Sequence, residues 1–178
     1  MNNVHACGLV IGDRGVIVLG PSGSGKSTLA LALVARCRAG GMPAWLVGDD
    51  RLVLERRGAR LVARVPETIA GLAEIYGHGP AAQPHEAAAV IDLCVRLVPA
   101  RDAPRLDPGG VELIENLEIA ALAVAQRAVA AAMPAVLARL EALGGRRPVA
   151  TKRASEGCGQ SALADIAAAP AAPDRHQD

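Results

Sequence analysis

The chain contains no phenylalanine, one tryptophan and one tyrosine among its 178 residues. Aromatic platforms for stacking bases are therefore missing, which argues against a dedicated nucleic-acid binder. A basic stripe is missing too. Nineteen Lys and Arg stand against eighteen Asp and Glu, for a net charge of +1. The short clusters Arg56-Arg57 and Arg146-Arg147 are expected to be solvated surface. Cysteines are few and scattered, at positions 7, 37, 94 and 158. Their spacing makes neither a C-x-x-C pair nor a metal knuckle, so reduced thiols in a cytoplasmic protein are expected. The N-terminus has no basic region followed by an apolar stretch, so no signal peptide is expected. No uninterrupted apolar run has the length of a membrane span. The most apolar segment, 117–138, is broken by Glu118, Gln126, Arg127 and Pro134, and is expected to be a packing helix.

What remains is aliphatic. Apolar residues make up 51% of the chain, enough for a real core built from Ala, Val, Leu and Ile. The length suggests one domain over 1–145. From 146 onward Arg, Lys, Ser, Gly, Pro and Ala dominate, and a disordered tail over 146–178 is expected.

Residues Gly20-Pro21-Ser22-Gly23-Ser24-Gly25-Lys26-Ser27 fit G-x-x-x-x-G-K-[ST] at every position. The apolar run 15–19 precedes them and a helical stretch from Thr28 follows, the strand–loop–helix setting that the motif needs. Glycines let the loop curl so that several N–H groups face one anion, and the helix N-terminus adds positive potential. The motif predicts that Lys26 reaches the β- and γ-phosphates and that the Ser27 hydroxyl holds Mg²⁺.

The pattern further predicts a strand over 4–11, a turn at Asp13-Arg14-Gly15 and a strand over 16–19. A helix is expected from Lys26 to Arg38, stopped by Gly40-Gly41 and Pro43. A buried strand over 44–47 should end in Gly48-Asp49-Asp50, and a hairpin should follow over 52–65. Residues 66–88 suggest a loop region, 89–98 a strand, 99–110 a connection, and 111–143 a helix with a break or kink near Pro134.

Asp49-Asp50 falls where a following strand would end beside the phosphate loop. A carboxylate there can organise Mg²⁺ or take a proton from an incoming hydroxyl. Asp is also common at strand-ending turns for reasons of turn chemistry alone. No base-reading segment of the GTPase kind follows the loop, and a small phosphotransferase is the economical reading.

Val4-His5-Ala6, the hairpin, Gly20–Thr28 and Leu46-Val47-Gly48-Asp49-Asp50 together resemble the catalytic C-terminal domain of HPr kinase/phosphorylase. The likeness covers roughly residues 4–125 and is to the short form found in alphaproteobacteria. It implies an α/β P-loop kinase fold with a mixed, partly antiparallel sheet and C-terminal helices. It also implies transfer of phosphate from ATP, with Mg²⁺, to a serine of the phosphocarrier HPr, and a homo-oligomer, since family members are hexamers. Position by position, it implies that Gly20–Thr28 binds the nucleotide, that Lys26 holds the β-phosphate and that Ser27 holds Mg²⁺. Asp49 would be the general base, protonated in the reverse phosphorolysis, with Asp50 supporting it. His5, on residue type alone as readily a polar residue near a terminus, would stand beside the phosphate site. Leu72–Gly79 resembles the family's L-E-I-R-G-x-G signature, with Glu74 in the place of a second magnesium ligand.

Two departures stand out. Tyr76 replaces the signature arginine, and Gly110 replaces the arginine of a P-G-R-N segment. A tyrosine offers one neutral hydroxyl where arginine offers a cationic fork. Arg101 and Arg105 lie nearby in sequence as substitutes. The expectation is retained kinase activity with weakened phosphorylase activity. Other readings are a small-molecule P-loop kinase and a degenerate ATP-binding regulatory module.

Overall fold

Residues 7–19 are apolar at nearly every position, as a strand pair covered on both faces must be. In the protein, a computed structural model describing residues 2–144, β2 (Cys7–Ile11) and β3 (Arg14–Leu19) occupy this stretch, preceded by the short β1 (Asn2–Val4). The strand expected over 4–11 is thus interrupted at His5-Ala6. The tail expected from 146, with Cys158, lies outside the described residues. β2 and β3 form the expected antiparallel hairpin. Gly15 is required by contact: a Cβ there would sit 2.0 Å from the Val90 carbonyl oxygen.

α1 (Lys26–Ala39) buries Leu29, Ala30, Leu33, Val34 and Cys37, an i, i+3/i+4 stripe turned to the sheet. After Pro43 the chain returns as β4 (Ala44–Gly48), antiparallel to β2. Since β2 is itself antiparallel to β3, β4 runs in the direction of β3, and its C-terminal end reaches the edge that carries the phosphate loop. The next hairpin is β5 (Leu52–Arg57) and β6 (Arg60–Arg64), two residues longer in its first strand than the spacing suggests.

Two segments depart from expectation. Residues 66–88 hold a short 3₁₀ turn (Glu67–Ile69) and a separate hairpin, β7 (Leu72–Ile75) with β8 (Gly79–Ala82), rather than plain loop. Its strands are four residues each and carry little apolar alternation, so the sequence gives no period to detect. The expected helix over 111–143 is only half helix. After β9 (Ala88–Val98), residues 111–125 form a second hairpin, β10 (Val111–Ile114) and β11 (Leu117–Ala125), and only then does α2 (Val129–Ala142) begin. The turn residues Glu115 (φ 50°) and Asn116 (φ 57°) are both left-handed, the geometry of a two-residue hairpin. β11 is an Ala-rich apolar run, which periodicity cannot separate from a buried helix. Nor does Pro134 break α2, which runs through it with one ladder donor missing.

β9 organises the sheet. β3 pairs in parallel along one edge. The other edge is shared, β6 taking Ala88–Ile91 and β11 taking Leu93–Val98. Among the described residues nine strands join one mixed sheet, ordered β1-β5-β6-β9-β3-β2-β4, with β11 and β10 branching from β9. One face packs on α1 and α2 through Leu9, Val16, Val18, Leu29, Leu33 and Val136. The other buries Val10, Ile17 and Val47 against Leu52, Leu54 and Leu61 of the same sheet, which therefore curls over itself. With no Phe, close-packed aliphatics alone fill both cores. No helix among the described residues is long and apolar enough to cross a membrane.

Candidate active site

β3 delivers the chain into the phosphate loop, and α1 begins at its end. Gly25 precedes the helix in a left-handed conformation (φ 96°) that only glycine adopts without strain. The loop is closed by the Ser24 N–H donating to the Pro21 carbonyl at 3.2 Å, and the Leu29 N–H takes the Gly25 carbonyl at 2.9 Å. Pro21, Ser22 and Gly23 are exposed at its crest, as is Thr28 beyond it. Lys26 is only 6% exposed; its ammonium donates to the Gly20 and Pro21 carbonyls, both at 3.1 Å. A lysine held this way is folded over the loop rather than extended into solvent. The Ser24 hydroxyl is buried and has no hydrogen-bond partner among the described residues. The first turn of α1 holds no acidic side chain, so nothing there opposes an anion.

The two adjacent carboxylates diverge. Asp49, 5% exposed, points inward. Its Oδ1 accepts the Cys7 thiol at 2.6 Å and its Oδ2 accepts the Glu74 backbone N–H at 3.0 Å. Asp50 takes a left-handed backbone (φ 71°) and turns outward. There it pairs with His5, Nε2 to Oδ1 at 3.0 Å, with side chains 50% and 72% exposed respectively. His5 is therefore tied to Asp50 and not to Asp49. Cys7 connects the inner groups: its sulfur also lies 3.8 Å from the Ser27 hydroxyl. Burial, and then the charge of Asp49, push the Cys7 thiol far up from its ordinary value, so it stays protonated and can donate.

Thus Lys26, Ser27, Asp49 and the Glu74 backbone come together, while His5 and Asp50 form an outer pair. Sequence reasoning assigned Cys7 no part in this, and the link depends on β2 lying between β3 and β4. Among the described residues no three His, Cys, Asp or Glu side chains cluster as a metal site. The Ser27 hydroxyl beside the loop and the exposed Glu74 carboxylate, whose backbone N–H is held to Asp49, offer the one or two protein oxygens that Mg²⁺ usually takes, phosphates and water completing its shell.

The positions lacking arginine are open. Tyr76 is 97% exposed in the β7–β8 turn. Arg101, one expected substitute, is exposed and lies 3.7 Å from its neighbour Asp102. Arg105 is exposed as well. Another arginine bonds to the phosphate loop. Arg127, between β11 and α2, donates through Nε to the Gly23 carbonyl at 3.0 Å and through its backbone N–H to the Ser24 carbonyl at 2.9 Å. The only trace of it in the sequence is a polar pair, Gln126-Arg127, interrupting an apolar run.

The family model of the HPr Serine kinase C-terminal domain matches residues 1–112. An HPr kinase/phosphorylase from Mycoplasma mycoides subsp. mycoides SC is 35% identical over 75 residues, covering 42% of this chain. The match spans 22% of that relative's length. The solved structure of the Hpr(Ser) kinase/phosphatase from Coxiella burnetii aligns with a TM-score of 0.64 and 26% identity, over 81% of this chain and 100% of that one.

Proposed function

The chain belongs to the HPr serine kinase C-terminal domain family, and on that premise we propose that it transfers the γ-phosphoryl group of ATP to a seryl hydroxyl of an HPr-like phosphocarrier. One observation carries the reading: a buried carboxylate, Asp49, is joined through Cys7 to the Ser27 end of a complete phosphate loop. That juxtaposes a proton acceptor with a polyphosphate cradle, which is what phosphoryl transfer needs.

In this reading the loop amides and the N-terminus of α1 bind the polyphosphate, and Lys26 leaves the loop carbonyls to meet it. Ser27 and Glu74 would hold Mg²⁺, which would supply charge neutralisation at the phosphates. The serine oxygen bonds to the γ-phosphorus as the bond to ADP breaks, and the hydroxyl proton passes to Asp49. The Cys7 thiol and the Glu74 N–H hold Asp49 in place as the acceptor. His5 and Asp50 border the entrance, where a protein substrate would approach.

Phosphorolysis, in which phosphate attacks phosphoserine and Asp49 returns the proton, is weaker in this account. It calls for more cationic contacts, and Tyr76 and Gly110 supply none. A homo-oligomer accords with the exposed Leu106, Val111 and Leu113.

Asp49→Asn tests the reading against that of a nucleotide-binding regulator. We expect ATP affinity to hold and transfer to fall by about 100-fold or more. Unchanged transfer would remove Asp49 from the chemistry.

A further inference from the structure

Four residues other than glycine have a left-handed backbone among the described residues: Asp50, Glu115, Asn116 and Arg127. Glu115 and Asn116 make the β10–β11 turn. The other two flank the phosphate site. A bulky residue at positive φ is costly and persists only where its surroundings hold it. Arg127 (φ 61°) is held by the loop itself, through the two bonds to Gly23 and Ser24. The junction also touches the loop's last glycine: a Cβ on Gly25 would lie 3.7 Å from both the nitrogen and the Cα of Arg127.

These bonds have a directional consequence. A peptide carbonyl and the N–H of the next residue point opposite ways across one plane. Tying the Ser24 carbonyl to the Arg127 N–H therefore turns the Gly25 N–H away from Arg127. The guanidinium adds a second effect. Among the described residues it makes no ion pair, so its charge stands uncompensated beside an anion-binding loop.

We propose that Arg127 is a positioning residue of the phosphate site, fixing the crest of the loop in its anion-binding form and supplying positive potential for a triphosphate, whether free or on a nucleoside. This rests on the nucleotide-binding reading above. It makes the β11–α2 junction part of the site.

The test is calorimetric titration of Mg–ATP and of Mg–tripolyphosphate into the wild type, Arg127→Gly and Arg127→Lys, with the melting temperature of each ligand-free protein. Arg127→Gly relieves the left-handed strain and keeps the backbone bond, so its melting temperature should hold or rise. Its Kd for both ligands should rise together by about tenfold. Arg127→Lys, which keeps the charge and can offer one donor, should recover part of the loss for both. Equal affinity in Arg127→Gly and the wild type would overturn the proposal. So would a loss for ATP alone, which would put Arg127 on the nucleoside, or a loss matched by a fall in melting temperature. If the wild type bound neither ligand, the nucleotide reading itself would fall.

Discussion

The Cys7 thiol donates to Asp49 Oδ1 at 2.6 Å, and the same sulfur lies 3.8 Å from the Ser27 hydroxyl. One small side chain thus spans the gap between the phosphate loop and the buried carboxylate. Cys7→Val keeps the approximate shape and removes the donor. A buried carboxylate then loses a hydrogen-bond partner, at a cost of about 1–3 kcal/mol. We expect a lower melting temperature and slower phosphate transfer, with Cys7→Ser restoring most of both. A Cys7→Val protein as stable and active as the wild type would make the bond incidental.

Alkaline stability follows from the buried thiols. Burial, then the charge of Glu112, push the Cys94 thiol up from 9.0 to about 12, partly offset by Arg96. Cys7 is pushed up further. Both groups have folded values above their unfolded ones, so their stabilising contribution is complete below about pH 9. It declines as pH rises from there towards the folded value, because the unfolded chain releases protons that the folded chain keeps. The slope is about 1.4 kcal/mol per pH unit for each thiol. Melting temperatures at pH 8, 9.5 and 10.5 should fall more steeply for the wild type than for Cys94→Ala. Parallel curves would contradict this.

Gly15→Ala tests the sheet. The new Cβ would meet the Val90 carbonyl oxygen at 2.0 Å, a backbone atom that no side-chain rotation can move aside. Chemical denaturation should show a loss of about 3 kcal/mol or more, and a loss under about 1 kcal/mol would mean that β3 and β9 part easily.

Tyr76→Arg tests the account of phosphorolysis. Position 76 is exposed, so an arginine costs the fold little. Phosphate-dependent release from phosphoserine-HPr should rise by about tenfold, while the forward transfer changes less. Strong release already in the wild type would show that the missing cation is supplied elsewhere.

Much of the site could be read from the sequence because its chemistry is local. The phosphate loop, α1 and the carboxylates after β4 are each announced by neighbouring residues. The hairpins at 72–82 and 111–125 were not legible. The first has too few alternating positions, and the second hides Ile119, Leu122 and Val124 in an alanine run that suits either structure. Arg127 could not be found because its partner, Gly23, is 104 residues away and meets it only after β9 and β11 have paired. Cys7 was visible as a residue, but only the order of β3, β2 and β4 brings it to Asp49.

The most direct measurement is transfer of the γ-phosphate from labelled ATP to purified HPr of the same organism. The account predicts label on wild-type HPr, none on the carrier with its target serine changed to alanine, and none with the Lys26→Ala enzyme. An unlabelled carrier, with ATP nevertheless bound by the wild-type protein, would contradict the kinase reading.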